Sequence, residues 1–278
     1  MAGEEGDQTP GSWEDRLTGE TLHITEHGQG PTVVMLHGLM ASGQMFRWLA
    51  EALQARFRLI VPDLPGHGRS VAVPGPYTVE AMAAHVAAAL HLRGVREAHL
   101  KGYSHGGTVA QQLARDAAPL VRSLALVATY AHNAVTRRER IEGWLAPHMV
   151  RLFGMRRLAA VLARPGTGGG PSLTPARLTW LRDMLAANDA AAMAQAAAEL
   201  SRFDSRPWLT QLHVPTMVVS GGHDTAVPAH HAQMLAQAIP QARTASIDEA
   251  GHTMIWTHRD RLAEILTAWW VDVNRDQR

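Results

Sequence analysis

The segment AHLKGYSHGG, residues 98–107, decides the fold of this 278-residue chain. Its first part is an apolar, β-prone run that predicts a strand over Ala98–Tyr103, and the residues after it predict a helix over Gly106–Ala117. A serine flanked by glycines between a strand and a helix is the G-x-S-x-G pattern of a nucleophile elbow. So sharp a turn strains the backbone of Ser104 and leaves no room for side chains at positions 102 and 106. We therefore predict Ser104 as a nucleophile, exposed at the positive end of the following helix.

Strands and helices alternate on both sides of this segment. Further strands are predicted at Thr32–Leu36, Leu59–Val61, Ser123–Thr129, Thr216–Ser220 and Thr244–Ile247. Further helices are predicted at Met45–Arg56, Val79–Leu92, Ala229–Ala238 and Arg259–Val273. This alternation predicts an α/β fold, with a doubly wound, mostly parallel sheet of about eight strands covered by helices on both faces.

The rhythm is interrupted between residues 131 and 208, where the sequence indicates no strand. Helical patterns lie at Arg137–Arg157, Pro175–Ala187 and Asp189–Leu200, with a loop of breakers at Arg164–Pro171. We interpret 131–208 as a helical cap, or lid, inserted into an α/β core formed by 1–130 and 209–278. Residues 1–12 are polar and predict a flexible tail, and the Arg164–Pro171 loop is expected to let the cap shift and admit substrate.

Composition narrows the classes of function. The net charge of +1 gives no electrostatic reason to expect nucleic acid as a partner. The absence of cysteine excludes a thiolate nucleophile and thiolate zinc sites. No G-x-G-x-x-G follows a strand, no apolar run is long enough to span a membrane, and the acidic N-terminus does not resemble a secretory signal. We expect a cytoplasmic protein that acts on a small molecule without a cofactor; the oligomeric state stays open.

Two loops at the ends of later strands supply an acid and a base. They are Gly221-Gly222-His223-Asp224 and Ala250-Gly251-His252-Thr253. A serine hydroxyl needs a neighbouring base, and the base needs a carboxylate that holds its tautomer and stabilises the imidazolium. The chain order Ser104, Asp224, His252 is the order that accompanies this elbow. Asp248 and Glu249 remain alternative acids.

An attacked carbonyl also needs hydrogen-bond donors for its developing negative charge. The backbone N–H groups of Leu39, in the run Leu36-His37-Gly38-Leu39, and of His105 are the predicted donors. The ring of His37 is expected to fix its loop by hydrogen bonds. The ring of His105 is expected to point away from the serine hydroxyl, and the turn Asp63–Ser70 is expected to be structural.

A metal site is not predicted. His223, His230 and His231 lie close together in the sequence, but they lack the H-x-x-x-H or H-E-x-x-H spacing that brings two histidines to one face of a helix.

These motifs, in this order, resemble the α/β-hydrolase fold superfamily, in its cap-bearing esterase, lactonase and peroxidase-like branch. The resemblance runs from about Thr21 to Val271 and lapses in the cap. It implies the same roles: Ser104 as nucleophile, Asp224 as acid, His252 as base, and the N–H groups of Leu39 and His105 as oxyanion donors.

One residue departs from the pattern of the superfamily. Lys101 places a charge in the strand that enters the elbow, which is usually apolar.

The resemblance also separates possible reactions. Epoxide hydrolases and haloalkane dehalogenases of this superfamily carry aspartate at the elbow, so Ser104 disfavours both. A serine hydrolase acting on carboxylic esters, lactones or thioesters through an acyl-enzyme is the leading hypothesis. A carbon–carbon bond hydrolase, an acyltransferase or perhydrolase, and a ligand-binding receptor on a hydrolase scaffold are the alternatives.

Substrate contacts are predicted mainly from the cap. Leu145, Met149, Leu152 and Phe153 follow helical spacing along one apolar face, which is expected to be buried against the core or the opening above the nucleophile. The predicted substrate-binding residues are Met40, Tyr103, Trp144, Met149 and Phe153.

Overall fold

The computed structural model describes residues 22–276, and a seven-stranded sheet forms its centre. The strands, in chain order, are β1 Ile24–His27, β2 Thr32–Leu36, β3 Arg58–Pro62, β4 Ala98–Tyr103, β5 Val121–Val127, β6 Thr216–Gly221 and β7 Arg243–Ile247. They lie in the order β1-β3-β2-β4-β5-β6-β7, and every neighbouring pair is parallel except β1 with β3. The predicted fold class is confirmed, with seven strands among the described residues where about eight were expected. The predicted tail, 1–12, lies outside the described residues.

Nine α-helices accompany the strands within residues 22–276. They are α1 Arg47–Leu53, α2 Val79–Leu92, α3 His105–Asp116, α4 Arg137–Leu162, α5 Pro175–Ala186, α6 Ala190–Leu200, α7 Ala229–Ala238, α8 Met254–Thr257 and α9 Arg259–Asp276. The predicted helices Val79–Leu92 and Ala229–Ala238 have the observed bounds. The predicted helix Met45–Arg56 is a 3₁₀ turn over Gly43–Phe46 followed by α1.

Helices cover both faces of the sheet because the strands are apolar on both faces. In β2, Val33 and Met35 join a buried cluster with α1, α8 and α9. Val34 and Leu36 point the other way and join a second cluster with α2, α3 and α7. This period of two is the geometry of an extended chain, and it makes the sheet doubly wound.

The helices α4, α5 and α6 lie between β5 and β6. The segment that holds them, 131–208, is called the helical segment below. It contains no strand, apart from an isolated bridge between His132 and Asp204. α4 packs on α5 and α6, and its long run is broken at Gly154, whose backbone leaves helical geometry with φ 67° and ψ 166°.

The expected buried face of α4 is wrong. Leu145, Met149 and Phe153 are exposed, and Leu152 is 73% exposed. α4 instead buries a different set of residues, Pro147, Val150, Met155 and Ala159. The residues that α4 buries therefore differ from those that the helical periodicity predicted.

No helix between residues 22 and 276 combines the length and the apolar character that crossing a bilayer requires.

Lys101, the only lysine of the chain, is completely buried in β4. Its Nζ lies 3.9 Å from the ring centre of Phe46 and 5.2 Å from that of Tyr103, and it has no hydrogen-bond partner among residues 22–276. Two aromatic faces stabilise a cation by about 2 kcal/mol at best when water is excluded, whereas removing an ammonium from water costs several kcal/mol. Burial therefore holds the pKa of Lys101 well below its ordinary value, which favours the neutral amine inside the sheet.

This buried amine makes a prediction about stability. The unfolded chain binds a proton at Lys101 that the folded chain does not, so stability rises with pH between the lowered pKa and about 10.4. Lys101→Met should raise the free energy of unfolding at pH 8 by about 2–3 kcal/mol and should remove this pH slope. Urea unfolding across pH 7–10 measures both effects, with Arg96→Met as a control that removes an exposed charge. Equal or lower stability of Lys101→Met at pH 8 would contradict the neutral buried amine.

Candidate active site

The predicted nucleophile, Ser104, is the residue between β4 and α3, and its backbone is strained. Its φ is 52° and its ψ is −121°, a conformation that residues with a side chain rarely adopt. Two contacts hold it: the Ser104 N–H donates to the carbonyl of Val127 at 3.0 Å, and the Thr129 hydroxyl donates to the Ser104 carbonyl at 2.6 Å. The end of β5 therefore fixes the turn at the end of β4.

Glycines around the elbow allow this close packing. A Cβ on Gly102 would overlap the backbone of Gly106 and Gly107, and a Cβ on Gly106 would overlap the carbonyl of Leu36. The crowding predicted at positions 102 and 106 is confirmed. Gly107 is a further contact of this kind, because a Cβ there would overlap the side chain of Thr129.

The predicted acid and base meet directly. His252 Nδ1 lies 2.8 Å from Asp224 Oδ2, and the Asp224 side chain is fully buried. The other oxygen, Oδ1, accepts from the backbone N–H groups of Ala226 and Val227 at 2.9 and 2.8 Å. The carboxylate is thereby fixed with one oxygen presented to the imidazole. In this arrangement, the Ser104 hydroxyl makes no hydrogen bond to His252 within residues 22–276.

The alternative acids do not reach the imidazole. Asp248 is exposed and accepts from the hydroxyl of Ser246 at 2.7 Å, and Glu249 is exposed as well. Among the residues the structure describes, Asp224 is the carboxylate that contacts His252.

Tyr103 has a different contact from the one predicted. It is buried, its ring lies 5.2 Å from that of His252, and its hydroxyl donates a hydrogen bond to the His252 carbonyl. Tyr103 therefore holds the loop of the predicted base, and its role as a substrate-binding residue stays a prediction.

The predicted oxyanion loop is fixed through a buried imidazole. His37 Nε2 accepts from the N–H of Leu64 at 2.9 Å, and its Nδ1 lies 2.9 Å from the Gly38 carbonyl. Burial lowers the pKa of His37, against the opposing charge of Asp63. The expectation that His37 fixes its loop is confirmed. A Cβ on Gly38 would lie 3.5 Å from the Cβ of Ser104, so this loop runs directly beside the serine.

The ring of His105 belongs to a buried cluster. It lies 6.0 Å from the ring of His67, which in turn lies 5.1 Å from that of His37. Burial lowers the pKa of His105 to about 3, and His37 acts in the same direction. A ring with so low a pKa is a weak base, and its burial in this cluster keeps it from the role predicted for His252. Its backbone N–H, at the first position of α3, has no acceptor inside the helix.

Asn188, between α5 and α6, was not found by the sequence analysis. Its Nδ2 donates to the Met40 carbonyl at 2.7 Å, and its Oδ1 accepts from the N–H of Gly68 at 3.0 Å. Met40 follows Leu39 and has a left-handed φ of 62°, a conformation that the Asn188 contact stabilises. A buried asparagine of the helical segment thus fixes the loop that carries a predicted oxyanion donor. No sequence signal indicates this contact, because it joins residues 148 apart.

The Arg164–Pro171 loop, expected to be flexible, packs on the predicted base. The Gly168 carbonyl accepts from the N–H of His252 at 2.7 Å and from that of Thr225 at 3.3 Å. Gly169 and Gly170, at φ 78° and 68°, come so close to His223 and Gly251 that neither could carry a side chain without overlap. A run of three glycines is a sequence signal for a close approach between backbone segments, whereas the sequence analysis predicts from it only a flexible loop.

Comparison with known proteins agrees with this geometry. Residues 31–259 match the model of the alpha/beta hydrolase fold family. The chain belongs to that family.

Three relatives illustrate its range. The chain is 35% identical over 260 residues to the polyketide synthase ThaQ of Burkholderia thailandensis, covering 90% of this chain and 12% of that protein. It is 32% identical over 262 residues to the pimeloyl-[acyl-carrier protein] methyl ester esterase of Xanthomonas campestris, covering 88% and 97%. A thermophilic esterase from Thermogutta terrifontis superposes with a TM-score of 0.80 at 29% identity, covering 91% and 93% of the two chains.

The contact of Asn188 with the Met40 carbonyl makes a prediction about this α/β hydrolase. Asn188→Ala should lower kcat for an ester about tenfold, which corresponds to about 1.4 kcal/mol of lost transition-state stabilisation. KM should change little, because the loop stabilises the charge that develops in the transition state and contributes less to binding of the ground-state substrate. Steady-state kinetics with p-nitrophenyl esters measure both constants.

The matched control is Asn274→Ala, which removes a hydrogen bond to Arg122 elsewhere in the fold. If Asn188→Ala raised KM and left kcat unchanged, Asn188 would serve substrate binding and not the geometry of the oxyanion loop.

Proposed function

We propose that this protein is a serine hydrolase that cleaves a carboxylic ester bond of a small, partly apolar substrate through an acyl-enzyme. One observation carries the proposal: the buried Asp224 carboxylate lies 2.8 Å from the His252 imidazole, and Tyr103, the residue before the strained Ser104, is hydrogen-bonded to the His252 carbonyl. The names of the esterase relatives support ester cleavage as the reaction.

In the proposed mechanism, Ser104 Oγ attacks the ester carbonyl carbon while His252 Nε2 takes the hydroxyl proton. Asp224 stabilises the imidazolium through Nδ1–H. The negative charge on the carbonyl oxygen is met by the N–H groups of Leu39 and His105. Collapse of the intermediate breaks the bond to the alcohol, which leaves with the proton from His252. Water, deprotonated by His252, then attacks the acyl-enzyme and releases the acid and the free serine.

The preference for an apolar group rests on the inner side of the helical segment. Val150, Met155, Met184 and Met193 belong to the same buried apolar cluster as Met40, beside the oxyanion loop. We propose that the helical segment acts as a lid and that its inner residues border the acyl group. Trp144, Met149 and Phe153 are exposed and at least 40% accessible, so nothing in the structure supports them as pocket residues.

A fluorophosphonate probe tests the nucleophile. The wild-type protein should be labelled once, at Ser104, and Ser104→Ala should lose labelling and about 10⁴–10⁶ in kcat. Mass spectrometry of the labelled peptide and hydrolysis of p-nitrophenyl esters provide the two measurements. Ser123→Ala is a suitable control, since Ser123 is buried in β5 and bonded to His99. Labelling at another residue, or an undiminished rate in Ser104→Ala, would sink the assignment.

The pH–rate profile tests the base and the acid. Activity should rise from acid towards neutral pH, because only a neutral imidazole can accept the serine proton. His252→Ala should lose as much activity as Ser104→Ala, and Asp224→Asn somewhat less. Asp248→Asn is the matched control and should retain the wild-type rate and profile. Greater damage from Asp248→Asn than from Asp224→Asn would show that the acid is misassigned.

The reaction class is tested by comparing substrates with Ser104→Ala as the blank. Hydrolysis of esters, lactones or thioesters supports the proposal, and selective cleavage of vinylogous diketones would identify a carbon–carbon bond hydrolase instead. Absence of turnover with stoichiometric ligand binding would identify a receptor.

A further inference from the structure

Three potential metal ligands converge at the contact between the helical segment and the α/β core. Glu139 lies in the first turn of α4, and His230 and His231 lie in the first turn of α7. Glu139 Oε1 is 3.0 Å from the Nε2 atom of each histidine. One ligand atom from each of the three residues lies within 4.8 Å of the other two.

A simple hydrogen-bonded cluster does not account for this arrangement. His231 Nε2 has hydrogen-bond geometry to Glu139 Oε1, but His230 Nε2 is buried at the same distance and makes no hydrogen bond. His231 is only 2% exposed, and its Nδ1 also has no partner among the described residues. Buried imidazole nitrogens normally have partners, so the unmatched His230 Nε2 beside the Glu139 carboxylate indicates a missing ligand.

The separations fit a tetrahedral ion. Zinc lies about 2.0–2.2 Å from histidine nitrogen and carboxylate oxygen, so neighbouring ligands in a tetrahedron lie about 3.3–3.5 Å apart. The two carboxylate–imidazole separations of 3.0 Å require these side chains to move apart by only a few tenths of an ångström, and the ligand atoms of the two imidazoles lie within 4.8 Å of each other. Two imidazoles and one carboxylate leave a fourth position for water. The half-exposed side chain of His230 provides a route from solvent.

The orientation of the carboxylate also favours an ion. The backbone N–H of Thr136 donates to Glu139 Oε2 at 2.7 Å, which leaves Oε1 directed at the histidines.

We propose that Glu139, His230 and His231 form a binding site for a divalent transition-metal ion of the zinc type. The sequence-based expectation of no metal site considered only the histidines, because the third ligand is 92 residues away from His231. α7 directly follows the loop in which Asp224 is fixed by the N–H of Val227. The ion would thus connect the start of the helical segment to the helix that follows the loop of the predicted acid. Its role is structural, and the esterase reaction does not pass through it.

The test is binding of Zn²⁺ and Co²⁺ to untagged protein, freed of metal with EDTA and dialysed. Calorimetry should show one Zn²⁺ per chain, and Co²⁺ should give the visible absorption of a tetrahedral site. Zn²⁺ at 100 times its Kd should raise the Tm by about 5 °C or more.

Glu139→Gln and His230→Ala should each weaken Zn²⁺ binding at least tenfold and at the same Zn²⁺ concentration should reduce the Tm shift to about half or less. Gln at position 139 keeps an acceptor for the Thr136 N–H, so this variant tests the ligand without removing the helix cap. His213→Ala, which removes an exposed histidine elsewhere, should bind zinc like the wild type. The proposal is overturned if Zn²⁺ does not bind at a ratio of one, if Glu139→Gln and His230→Ala bind it unchanged, or if anomalous diffraction places the ion elsewhere.

Discussion

The strained backbone of Ser104 is the constraint on which the rest of this structure depends. Such a conformation costs about 1–3 kcal/mol and persists only because its surroundings leave no other choice. The Val127 carbonyl and the Thr129 hydroxyl hold the turn from the end of β5. This requires β4 and β5 to be parallel and in register, with Tyr103 opposite Val127. The parallel pairing of β4 with β5 therefore determines the geometry of the site directly.

The helical segment is connected to the site from two sides. On the side of the serine, Asn188 holds the Met40 carbonyl and, through Gly68, the turn that follows β3. On the side of the imidazole, Gly168 accepts from both His252 and Thr225. These contacts are made by backbone and by short side chains, which have little freedom to adjust. The segment consequently shapes the geometry of the predicted catalytic groups as well as access to them.

The sequence was sufficient for features governed by local rules. Alternation along β2, the glycines around Ser104 and the ends of α2 and α7 each follow from neighbouring residues. The sequence failed where a partner far along the chain decides. The strand β1 was not predicted, because an edge strand with three exposed residues has no apolar pattern. The prediction of which side of α4 is buried was wrong, because the packing of α4 on α5 and α6 decides that side. The contact between Glu139 and His231 could not be predicted, because the two residues are 92 positions apart in the chain.

The hydrogen bond between Gly168 and His252 has a consequence for the timing of a catalytic cycle. Any motion that lifts the glycine loop away from the core must break the bond to the backbone of His252. The same motion removes a support from the imidazole that Asp224 orients. A raised glycine loop and a fully supported His252 backbone therefore exclude each other in one molecule.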